Sequence, residues 1–197
     1  MDFAGVMSIN PMIANSSGSL SAELQQRISK VRLLLMDVDG VLTDGCLYVD
    51  DSGAETKRFF TRDGFALVWV RQYGLLTGVI SGRPSPGTEK RCRDLKFDEV
   101  HLGSVHKYPV FEEIVQRRGL QPKEVAYLGD DVLDLPIMRS AGVSAAPSDS
   151  HPEVLRRVDL VLDYPGGRGA VRQFIDLWLV ATGCAASALE DIYHGNF

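Results

Sequence analysis

Residues 31–45, VRLLLMDVDGVLTDG, carry the reading that decides the fold. A run of apolar residues ends abruptly in Asp37, Val38, Asp39 and Gly40. A short apolar run closed by turn residues reads as a strand buried on both faces. A spacing of two in extended backbone points Asp37 and Asp39 to the same side. Gly40 then lets the chain turn sharply. Like charges held close repel, so a strand that delivers two carboxylates to one place needs something bound there.

The same rhythm recurs along the chain. Strand-like runs fall at 32–36, 76–80, 99–102, 125–128, 142–145 and 160–162, after a short helical stretch at 21–32. Helical patterns fall at 64–73, 108–118, 133–140 and 170–182. Short apolar runs alternating with longer amphipathic ones predict an α/β fold, a Rossmann-like parallel sheet covered by helices. CLYVDDSGAETKRFF, residues 46–60, breaks the rhythm with two strand-like runs around a turn, the signature of a protruding β-hairpin.

A chain of 197 residues suits one well-filled domain. The expected division is a mobile leader at 1–20, a single domain at 21–185 and a C-terminal tail at 186–197. A net charge of −5 argues against a nucleic-acid coat or a polybasic membrane anchor. No apolar run approaches a membrane span, and the first residues lack a signal-peptide pattern. Cys46, Cys92 and Cys184 are odd in number and show no metal-binding spacing, so reduced thiols in the cytoplasm are expected.

A second acidic group follows another apolar run. In VAYLGDDVLD, Asp130 and Asp131 come directly after the predicted strand, and Asp134 lies one helical turn later. In a sheet of this kind ligands bind beyond the carboxyl ends of the strands. Two acidic strand ends over one site call for a hard divalent cation, most plausibly Mg²⁺. One such cluster alone would be ordinary turn chemistry. The constellation is stronger because Ser81 and Gly82 in GVISGRP, and Lys107 in GSVHKYP, stand between the two clusters. A hydroxyl and backbone N–H groups after a strand can hold phosphate oxygens.

These pieces in this order resemble the four motifs of the haloacid dehalogenase (HAD) superfamily of phosphohydrolases. DVDGVLTDG, Arg62-Asp63-Gly64, ISGR, VAYLGDD and GGRGAVRQ resemble more closely the phosphatases acting on 3-deoxy-D-manno-octulosonate 8-phosphate (KDO 8-phosphate). The resemblance implies an Mg²⁺-dependent phosphomonoesterase that works through an aspartyl-phosphate. Asp37 would be the nucleophile and Asp39 the proton carrier, with Ser81 and Lys107 as further catalytic groups. Asp37, Asp130 and the backbone carbonyl of Asp39 would hold the metal, supported from behind by Asp131 and Asp134. Arg62, Asp63, Gly64, Gly82, Arg83 and Arg91 would bind the acidic sugar phosphate, and Arg168 would help close the site.

The intervals from Asp37 to Ser81 and from Ser81 to Lys107 leave no room for a whole cap domain. A capless site is open to water and needs cover from elsewhere. The resemblance implies a homotetramer in which the hairpin closes a neighbouring subunit's site, with Lys57 on the hairpin facing solvent or that neighbour. The chain departs from the family pattern at Phe60 and Val68, where relatives often carry a polar residue and an arginine. A nonulosonate 9-phosphate phosphatase or a broad sugar phosphatase is the same-class alternative. A non-enzymatic phospho-acceptor domain is the alternative of another class, although it would not need Asp39.

Overall fold

The computed structural model of the chain describes residues 20–196. The expected leader, apart from Leu20, lies outside the described residues. At the centre is β1 (Leu33–Met36), which is entirely buried. It lies between β4 (Leu76–Ser81) and β6 (Val125–Leu128), parallel to both. With β5 (Glu99–Leu102), β7 (Val143–Ala146) and β8 (Leu160–Val161), the sheet order is β5-β4-β1-β6-β7-β8. Every pairing in it is parallel.

Side chains alternate across the sheet, so β1 feeds two cores. Leu34 and Met36 join Ala126 and Leu128 of β6 on one face. There they meet α2 (Thr61–Trp69) through Ala66 and Leu67, and α7 (Ala170–Ala181) through Val171, Phe174 and Trp178. Leu33 and Leu35 join Val125 and Tyr127 on the other face. Their cover is α4 (Lys107–Arg118) through Phe111 and Ile114, and α5 (Leu135–Ser140) through Ile137. Fully burying one such large apolar side chain contributes about 1.5–3 kcal/mol. The Trp178 indole N–H donates to the Val31 carbonyl at 2.9 Å and ties α7 to the entry of β1.

Strand and helix positions follow the sequence pattern to within a residue or two at most boundaries. Helix α1 (Ala22–Ile28) is capped by the Ser21 hydroxyl, which accepts from the Leu24 N–H. The apolar pattern is silent about α3 (Pro86–Asp94), in which only Thr88 and Cys92 are buried. Its start is set by capping instead: Pro86 opens the helix, and the Ser85 hydroxyl accepts from the Thr88 N–H. The tail segment is helical over α8 (Ala185–Tyr193), where Ala188 is buried and Asp191 accepts a hydrogen bond from the Tyr73 hydroxyl. A short α6 (Pro152–Leu155) completes the helices among the described residues.

The hairpin forms with β2 (Tyr48–Val49) antiparallel to β3 (Glu55–Thr56). Its turn is closed by Asp50 Oδ1, which accepts from the N–H groups of Ser52 and Ala54. Leu47, Tyr48 and Val49 are all exposed. No domain is inserted between the elements that carry Asp37, Ser81 and Lys107.

Candidate active site

Parallel pairing brings the acidic strand ends together. Met36 pairs with both Leu128 and Val79, so β1, β6 and β4 end on one edge. The Asp37 N–H donates to the Leu128 carbonyl at 2.9 Å. Asp37, Asp130 and Asp134 each bring a carboxylate oxygen within 4.8 Å of the others. Gly40 makes this approach possible: its φ is +89°, and an added Cβ would lie 2.1 Å from Asp130 Oδ2.

One ammonium faces these three carboxylates. Lys107 opens α4 with only 5% of its surface exposed. Its Nζ lies 2.7 Å from Asp37 Oδ2 and 2.7 Å from Asp134 Oδ1. The fully buried Tyr127 also donates its hydroxyl to Asp134 Oδ1, at 2.7 Å. Asp134 Oδ2 accepts from the N–H groups of Asp130 and Asp131 at 3.1 and 3.3 Å. A carboxylate has about four lone-pair sites, so Asp134 is filled by its four donors. Asp37 accepts from Lys107 and from the Val38 N–H, leaving lone pairs unused. Among the described residues, Asp130 Oδ1 is buried with no donor.

Electrostatics follow from this shortage of positive charge. Burial and then the neighbouring Asp134 raise Asp37 to about 6, against the opposing pull of Lys107. Burial, Asp37 and Asp134 raise Asp130 to about 8. Burial alone would lower the Lys107 ammonium, but Asp134 and Asp37 together hold it above its ordinary value. The cluster therefore fits a hard divalent cation: it has excess negative charge, oxygen donors and a buried oxygen without a partner. Asp37 and Asp130 keep oxygens free for such an ion, whereas Asp134 holds Lys107 and the loop backbone in place.

The remaining residues around the site divide into three groups. Ser81 ends β4 on the same edge and Gly82 follows it, and the Ser81 hydroxyl accepts from the Arg83 N–H at 3.3 Å. Arg83 is exposed, and its guanidinium lies 2.7 Å from Glu55 of the hairpin. Arg91 reaches from α3 across Gly64, where an added Cβ would stand 2.2 Å from Arg91 Nη2. The Arg91 guanidinium carbon is 5.9 Å from the Phe59 ring centroid, and its Nε is buried without an acceptor among the described residues. Arg62 is exposed and lies over the Phe60 ring.

The second group serves the fold. Asp63, expected among the substrate contacts, is 1% exposed and turned inward. Its oxygens accept from the Gly169 and Arg172 N–H groups, which fixes the start of α7. Burial raises its carboxyl to about 6. Asp131 is exposed and accepts from the Val132 N–H at 2.7 Å. In GGRGAVRQ it is the glycines that meet the site loop: a Cβ on Gly166 would stand 1.9 Å from the Gly40 carbonyl oxygen, while Arg168 is exposed. Val68 is 38% exposed on α2.

The third group is what the sequence pattern missed or left open. Lys57 turns neither to solvent nor outward: its Nζ lies 2.7 Å from Asp39 Oδ2, and its side chain is 4% exposed. Tyr127 was legible only as an apolar strand residue, although a hydroxyl in a strand buried on both faces must find a partner. No local signal marks Lys57, because the hairpin carries it to the site.

A parallel sheet with an Asp-x-Asp pair at the end of its central strand, facing a lysine and a second acidic loop, defines a HAD-type hydrolase. A solved structure assigned to subfamily III A of the HAD superfamily, from Legionella pneumophila, matches with a TM-score of 0.83 at 33% identity, covering 89% of this chain and 100% of that one. The KDO 8-phosphate phosphatase KdsC of Escherichia coli is 37% identical over 171 residues, 87% of this chain and 91% of that protein. The chain belongs to the family of 3-deoxy-D-manno-octulosonate 8-phosphate phosphatases. The Moraxella catarrhalis phosphatase, solved with a magnesium ion, a phosphate ion and a KDO molecule, matches with a TM-score of 0.85 at 29% identity, covering 87% of this chain and 99% of that one. No family model matches the chain.

Proposed function

We propose that this protein is an Mg²⁺-dependent phosphomonoesterase that hydrolyses KDO 8-phosphate to KDO and inorganic phosphate. The observation that carries the reading is the cluster of Asp37, Asp130 and Asp134 around a single buried Lys107, in a chain of this family.

Asp37 attacks phosphorus as the bond to the sugar oxygen breaks, forming an aspartyl-phosphate and dividing one displacement into two. Asp39 gives a proton to the departing oxygen and then takes one from the water that hydrolyses the intermediate. Lys107, fixed from two sides by Asp37 and Asp134, balances charge on the phosphoryl group. The Ser81 hydroxyl and the Gly82 N–H hold phosphoryl oxygens. Bound Mg²⁺, held by Asp37, Asp130 and the Asp39 backbone carbonyl, would supply further neutralisation of that charge.

Arg62, Arg83 and Arg91 supply positive charge for the sugar carboxylate. Gly64 contributes by leaving room for Arg91, whose free Nε is a donor without an acceptor. The exposed apolar hairpin residues Leu47, Tyr48 and Val49 suit burial in a homotetramer that covers a neighbouring site. No described helix is long and apolar enough to cross a membrane, and three free cysteines fit a cytoplasmic enzyme.

The deciding experiment is phosphate release with Mg²⁺ across KDO 8-phosphate, nonulosonate 9-phosphates and hexose phosphates. KDO 8-phosphate is expected to give the highest kcat/KM. A clear preference for hexose phosphates would overturn the substrate while leaving the reaction class intact.

A further inference from the structure

We propose that Lys57 is a positioning residue for proton transfer, holding the Asp39 carboxyl so that one oxygen faces the leaving group. The inference rests on the reading of Asp39 as the proton carrier. It begins from a cost: an ammonium with 4% of its side chain exposed is unfavourable unless it is paired and hydrogen-bonded. The hairpin does not need such a residue for attachment. Its returning arm is already joined to the body by the exposed pair Glu55–Arg83 at 2.7 Å and by Arg58–Asp44 at 3.2 Å. A backbone bridge between Thr43 and Phe59 adds a third link. Lys57 lies among these links and turns inward, to Asp39.

The contact is one-sided. Lys57 Nζ holds Asp39 Oδ2 at 2.7 Å, while among the described residues Oδ1 has only the Thr43 hydroxyl at 3.5 Å, the outer limit of a hydrogen bond. Oδ2 can accept from Lys57 whether or not Oδ1 carries a proton. The grip therefore survives both halves of the reaction. In the first half the P–O bond breaks, its electron pair stays on the sugar oxygen, and the proton on Oδ1 goes to that oxygen. In the second half Oδ1 takes a proton from the attacking water. A carboxyl free to rotate would lose this aim, and misplacement by about 1 Å can cost about 100-fold in rate.

Leaving groups separate this role from a merely structural one. A sugar alkoxide needs the proton, whereas p-nitrophenolate departs readily without it. Lys57→Met in the full-length, Mg²⁺-loaded enzyme should lower the single-turnover rate of leaving-group release by about 100-fold for KDO 8-phosphate and by less than about fivefold for p-nitrophenyl phosphate, while hydrolysis of the shared aspartyl-phosphate slows equally for both. Lys57→Gln, which keeps a polar side chain at the site, should shift the same ratio in the same direction and serves if the Met variant misfolds. Arg58→Met, on the same arm but away from Asp39, should leave the ratio of the two substrates unchanged. Asp39→Asn is the control for the underlying reading and should be at least as selective as Lys57→Met. If Asp39→Asn is selective and both Lys57 variants slow leaving-group release from the two substrates equally, or not at all, the inference about Lys57 is overturned alone. If Asp39→Asn itself shows no selectivity, the proton-carrier reading fails and the inference fails with it.

Discussion

Where the strands begin, Asp98, Glu99, Glu124 and Asp159 each meet an arginine; where they end, Asp37, Asp39, Asp130 and Asp134 share two lysines. Glu99 shows the first arrangement most fully. Arg117, Arg118 and His101 surround it, with Arg117 at 2.6 Å and Arg118 at 2.5 Å. Burial would raise its carboxyl, but these partners overcome burial and hold it at about 2. Asp130 shows the second: burial, Asp37 and Asp134 push it to about 8, and one of its oxygens has no donor. A carboxylate is satisfied at one edge and left short of positive partners at the other. Carboxylates that are already neutralised hold a fold together, and those that are not are ready to bind a cation.

Substitutions can break this contrast from either side. The largest effect is expected from Asp37→Asn, which should remove measurable Mg²⁺-dependent phosphate release while circular dichroism stays native. Substantial turnover by that folded variant would sink the role of Asp37.

The next effect concerns pH and metal. Asp37 and Asp130 hold protons more tightly in the native protein, to about 6 and about 8, than in an unfolded chain, where a carboxylate titrates near about 4. The native state thus binds more protons across that window, so stability falls as pH rises from about 4 to about 8. In chelator, Tm should drop between pH 5 and pH 8, and added Mg²⁺ should raise it more at pH 8 than at pH 5. Asp130→Asn should flatten both responses. A chelated protein that grows more stable over this range would contradict the charge-deficient reading.

Glu99 has the opposite sign. Its stabilisation is complete above about 4.5, the ordinary glutamate range, and is lost as pH falls towards about 2. Glu99→Gln should cost about 2–3 kcal/mol in urea unfolding at neutral pH, because it weakens charged hydrogen bonds to a buried acceptor. Its kcat per folded molecule should be unchanged. A loss of turnover without a loss of stability would place function at the wrong edge. The smallest effect is expected from Arg32→Ala, which removes the exposed pair with Glu124 at 3.2 Å and should cost less than about 1 kcal/mol.

Much of the molecule was legible along the chain. The apolar run into Asp37 and Asp39 marked the central strand, and the run into Asp130 marked its neighbour, because local hydrophobic pattern reports burial on both faces. Helix α3 was not legible, since a helix that buries only Thr88 and Cys92 has no apolar stripe to display. Asp63 looked like a substrate contact and turned out to fix the start of α7, more than 100 residues away in sequence.

By itself, then, the sequence determined which backbone segments are strands and which acidic groups those strands deliver to the C-terminal edge. Both depend on residues close together in the chain. Only the tertiary structure decided what each charge would face: Lys107 between Asp37 and Asp134, Tyr127 behind Asp134, and Lys57 of the hairpin on Asp39. Those meetings depend on strand order and crossover geometry, which bring distant residues within hydrogen-bond reach, and no local pattern encodes a distance between segments.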